Sequence, residues 1–304
     1  MLSSIKIVSL HTGESLLFNG LKNVEKNLAI TNITGIYPPK AEVNISPYAV
    51  TTGGYLTSRR LTSRNILFTF TTLSDDAELA RQELYRIFSS NGECLMYFYS
   101  DQQRLEKTIT GYTELIESSI FSSRVNVSVS VMCPDPLFYG TTPSEGRSDQ
   151  AATPLFEFPF SNESLTENLI VFGEQLETRD LTVVYDSFYE TGITAKLYIS
   201  GNVTGLKLVS STTKERIVLD DSEIIRITNH PLTAGDVITI CTVPGKKRIT
   251  LERGFSSYNL FSSMTYDSSW IRIVPGANKF AVSTERGGSS VTLHVSAMPV
   301  FLGV

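Results

Sequence analysis

Between residues 124 and 132 the chain alternates one for one. Val125, Val127, Val129 and Val131 fall on one side, and Asn126, Ser128 and Ser130 on the other. A period of two places every valine on one face of an extended chain, so the segment reads as a strand with one face buried. It ends at Cys133-Pro134-Asp135-Pro136, where two prolines rule out a central strand. Residues 65–73 repeat the pattern: Ile66, Phe68 and Phe70 oppose Thr69 and Thr71. Residues 94–99 read as an aromatic strand and 107–115 as a weaker one.

One helix stands among these strands, at about residues 75–90. Ala77, Ala80, Leu84, Ile87 and Phe88 recur at helical spacing and make one apolar stripe. Ser74 or Asp75 can cap it, with Glu78 three residues after Asp75. Asp75, Asp76 and Glu78 sit at the positive end of its dipole and Arg86 near the negative end. Asn91-Gly92 stops it.

Residues 140–154 are rich in Gly, Thr, Pro, Ser, Asp, Gln and Ala without periodicity, the composition of a linker. A chain of 304 residues exceeds what one core usually fills. The expected division is therefore a β domain with one helix at 1–140, a linker at 141–154 and a second domain at 155–304. The second half reads as short strands at 194–200, 206–210, 215–219, 223–228, 237–242, 248–252, 270–273, 279–283 and 291–296. Gly201-Asn202, Asp220-Asp221, Asn229-His230-Pro231, Pro244-Gly245, Pro275-Gly276 and Gly287-Gly288 mark the breaks. Many short strands with no helix between them imply a β-sandwich or jelly roll. The fold class is mainly β throughout.

The chemistry is sparse. His11, His230 and His294 have no carboxylate or cysteine at metal-ligand spacing, and His294 alternates with Leu293 and Val295 on a strand's polar face. Cys94, Cys133 and Cys241 are odd in number and far apart, so they read as buried reduced thiols rather than a zinc site. Gly53-Gly54 and Gly287-Gly288 read as hairpin-like turns, since neither precedes a helix as a phosphate cradle must. Asp75-Asp76 and Asp220-Asp221 are explained by helix capping and a tight turn. Trp270, the one tryptophan, reads as packed into the sandwich, with a sugar-stacking role as the alternative. No catalytic, cofactor-binding or metal residue is assigned, and an enzyme is not expected. Net charge is −5, and the short basic run Lys246-Lys247-Arg248 is no footprint for nucleic acid. No stretch is apolar enough to span a membrane, and the start of the chain does not read as a signal peptide.

Two segments together resemble a known family. The first runs from Arg59 and Arg64-Asn65 through Ala80-Arg81-Gln82-Glu83-Leu84-Tyr85-Arg86-Ile87-Phe88, Gly111-Tyr112 and Phe121 to Val131-Met132-Cys133-Pro134-Asp135-Pro136-Leu137-Phe138. The second is Ser268-Ser269-Trp270-Ile271-Arg272-Ile273-Val274-Pro275-Gly276-Ala277-Asn278-Lys279-Phe280. They resemble the siphophage tail component family, whose best-described members are distal tail proteins. The resemblance implies an N-terminal β barrel-like domain that closes into a ring, usually a homohexamer, and a C-terminal galectin-like sandwich. It implies a structural hub of the tail tip or baseplate, assembled in the host cytoplasm and residing in the virion tail. The implied partners are copies of the chain itself, the tail tube protein, the tail-tip protein and receptor-binding proteins, with DNA passing the lumen without specific binding. A ring subunit needs repeated closing interfaces, and residues 125–131 form the kind of strand that could extend a sheet into a neighbour. The competing function is a carbohydrate- or receptor-binding module built on the C-terminal sandwich.

Overall fold

The computed structural model describes residues 2–73, 77–89, 92–100, 105–119, 126–148, 152–154, 173–175 and 180–304. They form two units, Met1–Thr141 with Val300–Val304, and Thr142–Pro299.

The first unit contains β1 (Leu2–Ser9), β2 (Ser15–Asn19), β3 (Lys22–Asn23), β4 (Leu28–Thr34), β5 (Ala41–Pro47), β6 (Gly54–Leu61), β7 (Arg64–Thr72), α1 (Ala77–Ile87), β8 (Glu93–Ser100), β9 (Leu105–Ser118), β10 (Asn126–Cys133) and β11 (Phe138–Gly140). Eight strands pair in the order β10-β7-β4-β3-β2-β1-β8-β9, and β9 pairs back onto β10 to close a barrel. This corrects one expectation. The valine strand is not an edge that could extend a sheet into a neighbour, because Val127 stands opposite Phe70 on one side and Ser118 on the other. Closing the barrel consumes the ladder groups that an added strand would need. Residues 124 and 125 of that reading lie outside the described residues.

The alternation seen in the sequence is the barrel's inside-outside code. Ile66, Phe68, Phe70, Val127, Val129 and Val131 are buried, joined by Ile5, Ile7, Met96 and Phe98. The helix stripe joins the same cluster through Ala80, Leu84, Ile87 and Phe88. The Phe88 ring lies 5.8 Å from Phe70 and 6.2 Å from Phe68. Glu78 stands in the first turn and Arg86 in the last. The caps read at Ser74 and Asp75, like Asp76, Asn91 and Phe121, fall outside the described residues, as does the side chain of Ala77. Gly92 donates its N–H to the Ser89 carbonyl at 2.7 Å just beyond the helix.

β5 and β6 form a separate hairpin, paired only with each other among the described residues. Gly53, in its turn, adopts φ +101°, which favours glycine. The last residues return to this unit: Val300–Phe301 pairs with β11, Phe301 opposite Phe138 and Val300 opposite Tyr139. The chain's end, placed by the sequence reading in the second domain, thus completes the first sheet.

The second unit contains β12 (Ser144–Arg147), β13 (Ala152–Pro154), β14 (Gly173–Gln175), β15 (Asp180–Tyr185), β16 (Thr191–Gly192), β17 (Thr194–Ile199), β18 (Lys207–Ser210), β19 (Arg216–Val218), α2 (Asp221–Thr228), β20 (Val237–Cys241), β21 (Arg248–Arg253), β22 (Ser256–Asn259), β23 (Arg272–Ile273), β24 (Gly276–Ser283) and β25 (Val291–Ala297). A six-stranded antiparallel sheet runs β12-β25-β17-β20-β21-β22 and a four-stranded one runs β15-β24-β18-β19. Their buried residues, including Leu197, Ile238, Ile249, Leu293 and Phe280, form one core, as a sandwich requires. β12 occupies residues read as linker. β13 pairs with β14 in a two-stranded ladder.

α2 is a second correction. Residues 223–228 read as a strand because three isoleucines crowd the segment, but the ends decide for helix. The Asp220 side chain accepts from Ser222 N at 2.9 Å, and Asn229 closes the helix in the left-handed region at φ 60° with its N–H on Ile225 O. Ile224 and Thr228 then share the buried face, and Glu223 pairs with Arg226 on the exposed one. Asp220-Asp221, read as a tight turn, is the helix start.

Candidate functional site

The residues singled out for chemistry are scattered. His11 and His230 are exposed, the latter just beyond the end of α2. Asp220 caps α2, and Gly287 does not turn a hairpin: it leads from β24 in one sheet to β25 in the other through a single 3-10 turn. Among the described residues no three His, Cys, Asp or Glu side chains gather as a metal site. The three cysteines are buried and free. Burial pushes the Cys94 and Cys133 thiols up to about 12, which makes them poor nucleophiles.

The motifs that carry the family resemblance turn out to be knots of backbone recognition. Arg64, at the start of β7, is almost fully buried. Its Nε donates to Pro136 O at 2.9 Å, Nη1 to Gly35 O and Tyr37 O at 2.7 Å each, and Nη2 to Leu302 O at 2.6 Å. The guanidinium lies 4.5 Å from the centre of the Phe138 ring. One side chain therefore ties the strand start, the Gly35 turn, the Cys133-Pro134-Asp135-Pro136 segment and the returning tail. A fixed planar fork with five N–H donors suits this; an ammonium does not. Burial lowers its pKa. Lys107 grips the same tail, donating to Gly303 O at 3.0 Å and lying 4.6 Å over the Phe301 ring.

The second motif is a turn clamped from within. Asn278 is fully buried, accepts from Val274 N at 3.1 Å, and donates to Val274 O at 2.6 Å and Gly276 O at 2.9 Å. Gly276 takes φ +94°, so the Pro275-Gly276-Ala277-Asn278 order is a folding requirement. Trp270 precedes this turn, half-buried against the sandwich core, with Phe261 at 5.6 Å and Lys247 Nζ 5.0 Å over its ring. Lys247 occupies a face that a sugar would need.

Among the described residues, two exposed surfaces are notable. The β5–β6 hairpin is exposed on both faces and presents Val43, Ile45, Tyr55 and Leu56, each more than half exposed. The other surface is the outward face of the six-stranded sheet. There Arg147, His294 and Lys196 stand in one cross-strand row, and His294 Nε2 lies 3.6 Å from Glu145 Oε2. Glu145, Gly146, Arg147, Tyr198 and His294 line a cleft of about 300 Å3. Sequence reasoning placed His294 on its polar face but missed its neighbours, which lie about 100 and 150 positions away and carry no shared motif.

Comparison with known proteins agrees with the resemblance read from the sequence. Residues 186–296 match the family model described as siphovirus-type tail component, C-terminal domain. No curated protein sequence matches the chain. Among solved structures, the crystal structure of the SPP1 Dit (gp 19.1) protein, described as a paradigm of the hub adsorption apparatus in Gram-positive infecting phages, aligns with a TM-score of 0.62 at 14% identity. The alignment covers 98% of this chain and 99% of that one. The phage P2 baseplate in its activated conformation with Ca aligns with a TM-score of 0.50 at 12% identity over the full length of both chains. The fold, barrel and sandwich alike, is that of the Dit protein.

Proposed function

We propose that this chain is a structural subunit of a siphophage tail tip or baseplate hub, and that copies of its first unit close into a hexameric ring joining the tail tube to tail-tip and receptor-binding proteins. The observation that carries the reading is the pairing of a siphovirus tail-component domain at 186–296 with a Dit fold over nearly the whole chain. The physical design supports it. The side chains that matter most, Arg64 and Asn278, recognise the protein's own backbone, as expected of a part selected for shape. The β5–β6 hairpin supports self-assembly: a lone two-stranded hairpin is marginal in water, and this one exposes four large apolar side chains that an isolated protomer leaves wet. The closed barrel leaves ring contacts to such appendages rather than to strand addition on β10. A net charge of −5 suits a lumen through which DNA passes without being held.

The hairpin gives the test. Ile45→Asp with Leu56→Asp places two charges where a neighbour would bury apolar surface, in a region that contributes nothing to either core. The double variant is expected to fold with unchanged melting and to sediment as a protomer while the parent sediments as a ring. A variant that still forms rings removes the hairpin from the interface.

A further inference from the structure

We infer that residues 300–304 are a release latch of the first unit: a short strand that Arg64 and Lys107 hold in a groove, and that unzips from β11 while the barrel stays closed. This goes beyond the hub reading and stands whether or not a ring forms.

The groove has a wall on each side. β26 (Val300–Phe301) pairs with β11, Phe301 opposite Phe138 and Val300 opposite Tyr139. On the far side Val304 donates its N–H to Ile36 O at 3.1 Å. Gly303 lies close to that wall: a Cβ on it would stand 3.1 Å from Ile36 O and 3.3 Å from Pro38, so a side chain there would press the wall outward. Val300 is fully buried, and Phe301 and Val304 pack partly buried against the barrel core. Two cations take the carbonyls. Arg64 Nη2 donates to Leu302 O at 2.6 Å, and Lys107 Nζ donates to Gly303 O at 3.0 Å while lying 4.6 Å over the Phe301 ring. The groove thus selects an extended segment with an aromatic residue, then two carbonyls offered to cations, the second from a glycine.

The topology makes this strand separable. The chain leaves β11 after Gly140 and returns at Val300, whose ladder partner is Tyr139. Residues 141–299 therefore hang from one end of a two-position ladder. A displacement of that stretch loads the ladder's bonds one after another, as in unzipping, and not all together. Pro299 has no N–H and cannot lengthen the ladder. β10 is held differently: it pairs with β7 from Asn126 to Cys133 and with β9 on its other side, so freeing it opens the barrel. Local stability follows the bonds and buried contacts that must break together, which makes the strand at 300–304 the weak seam. Its opening takes the Leu302 acceptor from Arg64 and uncovers Val300 and Phe301. The same guanidinium holds Gly35, Tyr37 and Pro136, so a displacement in the chain beyond Pro299 reaches the start of β7.

The experiment is hydrogen–deuterium exchange of the full-length protein, read by mass spectrometry. Residues 300–304 should exchange by local opening, about tenfold or more faster than β7 and β10. Lys107→Met removes one of the two holds and should speed exchange of this segment about tenfold again, with β7 and β10 unchanged. Calorimetry supplies a second reading. A chain ending at Pro299 should lose about 4 °C or more from the first unit's melting point and keep its second transition. The N-acetylated peptide Val-Phe-Leu-Gly-Val, at about 1 mM to match a tethered strand, should restore that loss, and Val-Ala-Leu-Gly-Val should not. If the shortened chain fails to fold, the exchange result decides alone. Exchange at 300–304 that keeps pace with β7 and β10 in both parent and Lys107→Met overturns the inference. So does a folded shortened chain that melts like the parent, or one that neither peptide restores.

Discussion

Replacing Arg64 by leucine tests whether a single buried cation holds the first unit together. The substitution keeps apolar bulk but removes four hydrogen bonds, of 2.6 to 2.9 Å, and the stack on Phe138. Hydrogen bonds from a charged donor are each worth about 1.5–3 kcal/mol net, so the bonds alone sum to several kcal/mol. Against this stands the cost of burying the guanidinium, visible in its lowered pKa and recovered when the charge is gone. Four carbonyls from three separate segments are left without their donor. Leaving a buried acceptor without its donor costs about 1–3 kcal/mol, so after the recovered desolvation a net loss of about 3–5 kcal/mol is expected. For a unit of this size each kcal/mol moves the melting point by about 2–4 °C, so a fall of roughly 6–20 °C is expected. Calorimetry reads it directly: the first unit's transition drops and the second stays. Arg64→Lys should fall too, since an ammonium cannot span four carbonyls in one plane. An Arg64→Leu protein melting within about 2 °C of the parent would refute the reasoning, because the charge would then cost as much to bury as its bonds return.

Leu84 is fully buried mid-stripe, so Leu84→Ala should cost the first unit about 2–5 kcal/mol by calorimetry and leave the second transition in place; an unchanged melt would mean the helix is not core. Cys94 and Cys133, held up at about 12 chiefly by burial, should resist Ellman's reagent near pH 8 until the barrel unfolds, and rapid labelling of the folded protein at either position would contradict the closed barrel. Hydrogen bonds from Ser222 hold the exposed Asp220 carboxyl below its ordinary 3.8, and one from Thr265 does the same for Asp267. Depressed folded-state values contribute stability above the unfolded pKa, and that stability is lost as pH falls through the folded one. The second unit should therefore weaken below about pH 4, with Asp220→Asn flattening part of the fall; identical pH profiles for variant and parent would remove Asp220 from the account.

What the sequence reveals depends on whether burial leaves a mark on side-chain choice. β7 and β10 are legible because every second residue is a large apolar one inside a barrel, and α1 because its stripe meets that interior. β5 and β6 are not, because a hairpin exposed on both faces has no buried side for a period of two to report. β12 passes for linker for a more specific reason: its inward residue is Gly146, where a methyl group would require Leu181 and Val183 to shift, so an integral strand shows no hydrophobic signal. α2 was masked by isoleucines that suit a strand equally well, although Asp220 followed three residues later by Glu223 is a readable helix start. The return of Val300–Phe301 to β11 and the convergence of Glu145, Tyr198 and His294 are long-range facts of topology. Arg64, Pro136 and Asn278 belong to the segments that carry the resemblance, but only the structure shows why: these residues are shaped to their own backbone.

We propose that the first unit closes into a ring through its exposed hairpin. Native mass spectrometry of the full-length protein, with negative-stain images of the same sample, tests it most directly. A dominant species at the hexamer mass, seen as closed rings with a central channel, is expected. A protein that stays a protomer at high concentration, with no rings on the grid and none in isolated tails, would contradict it.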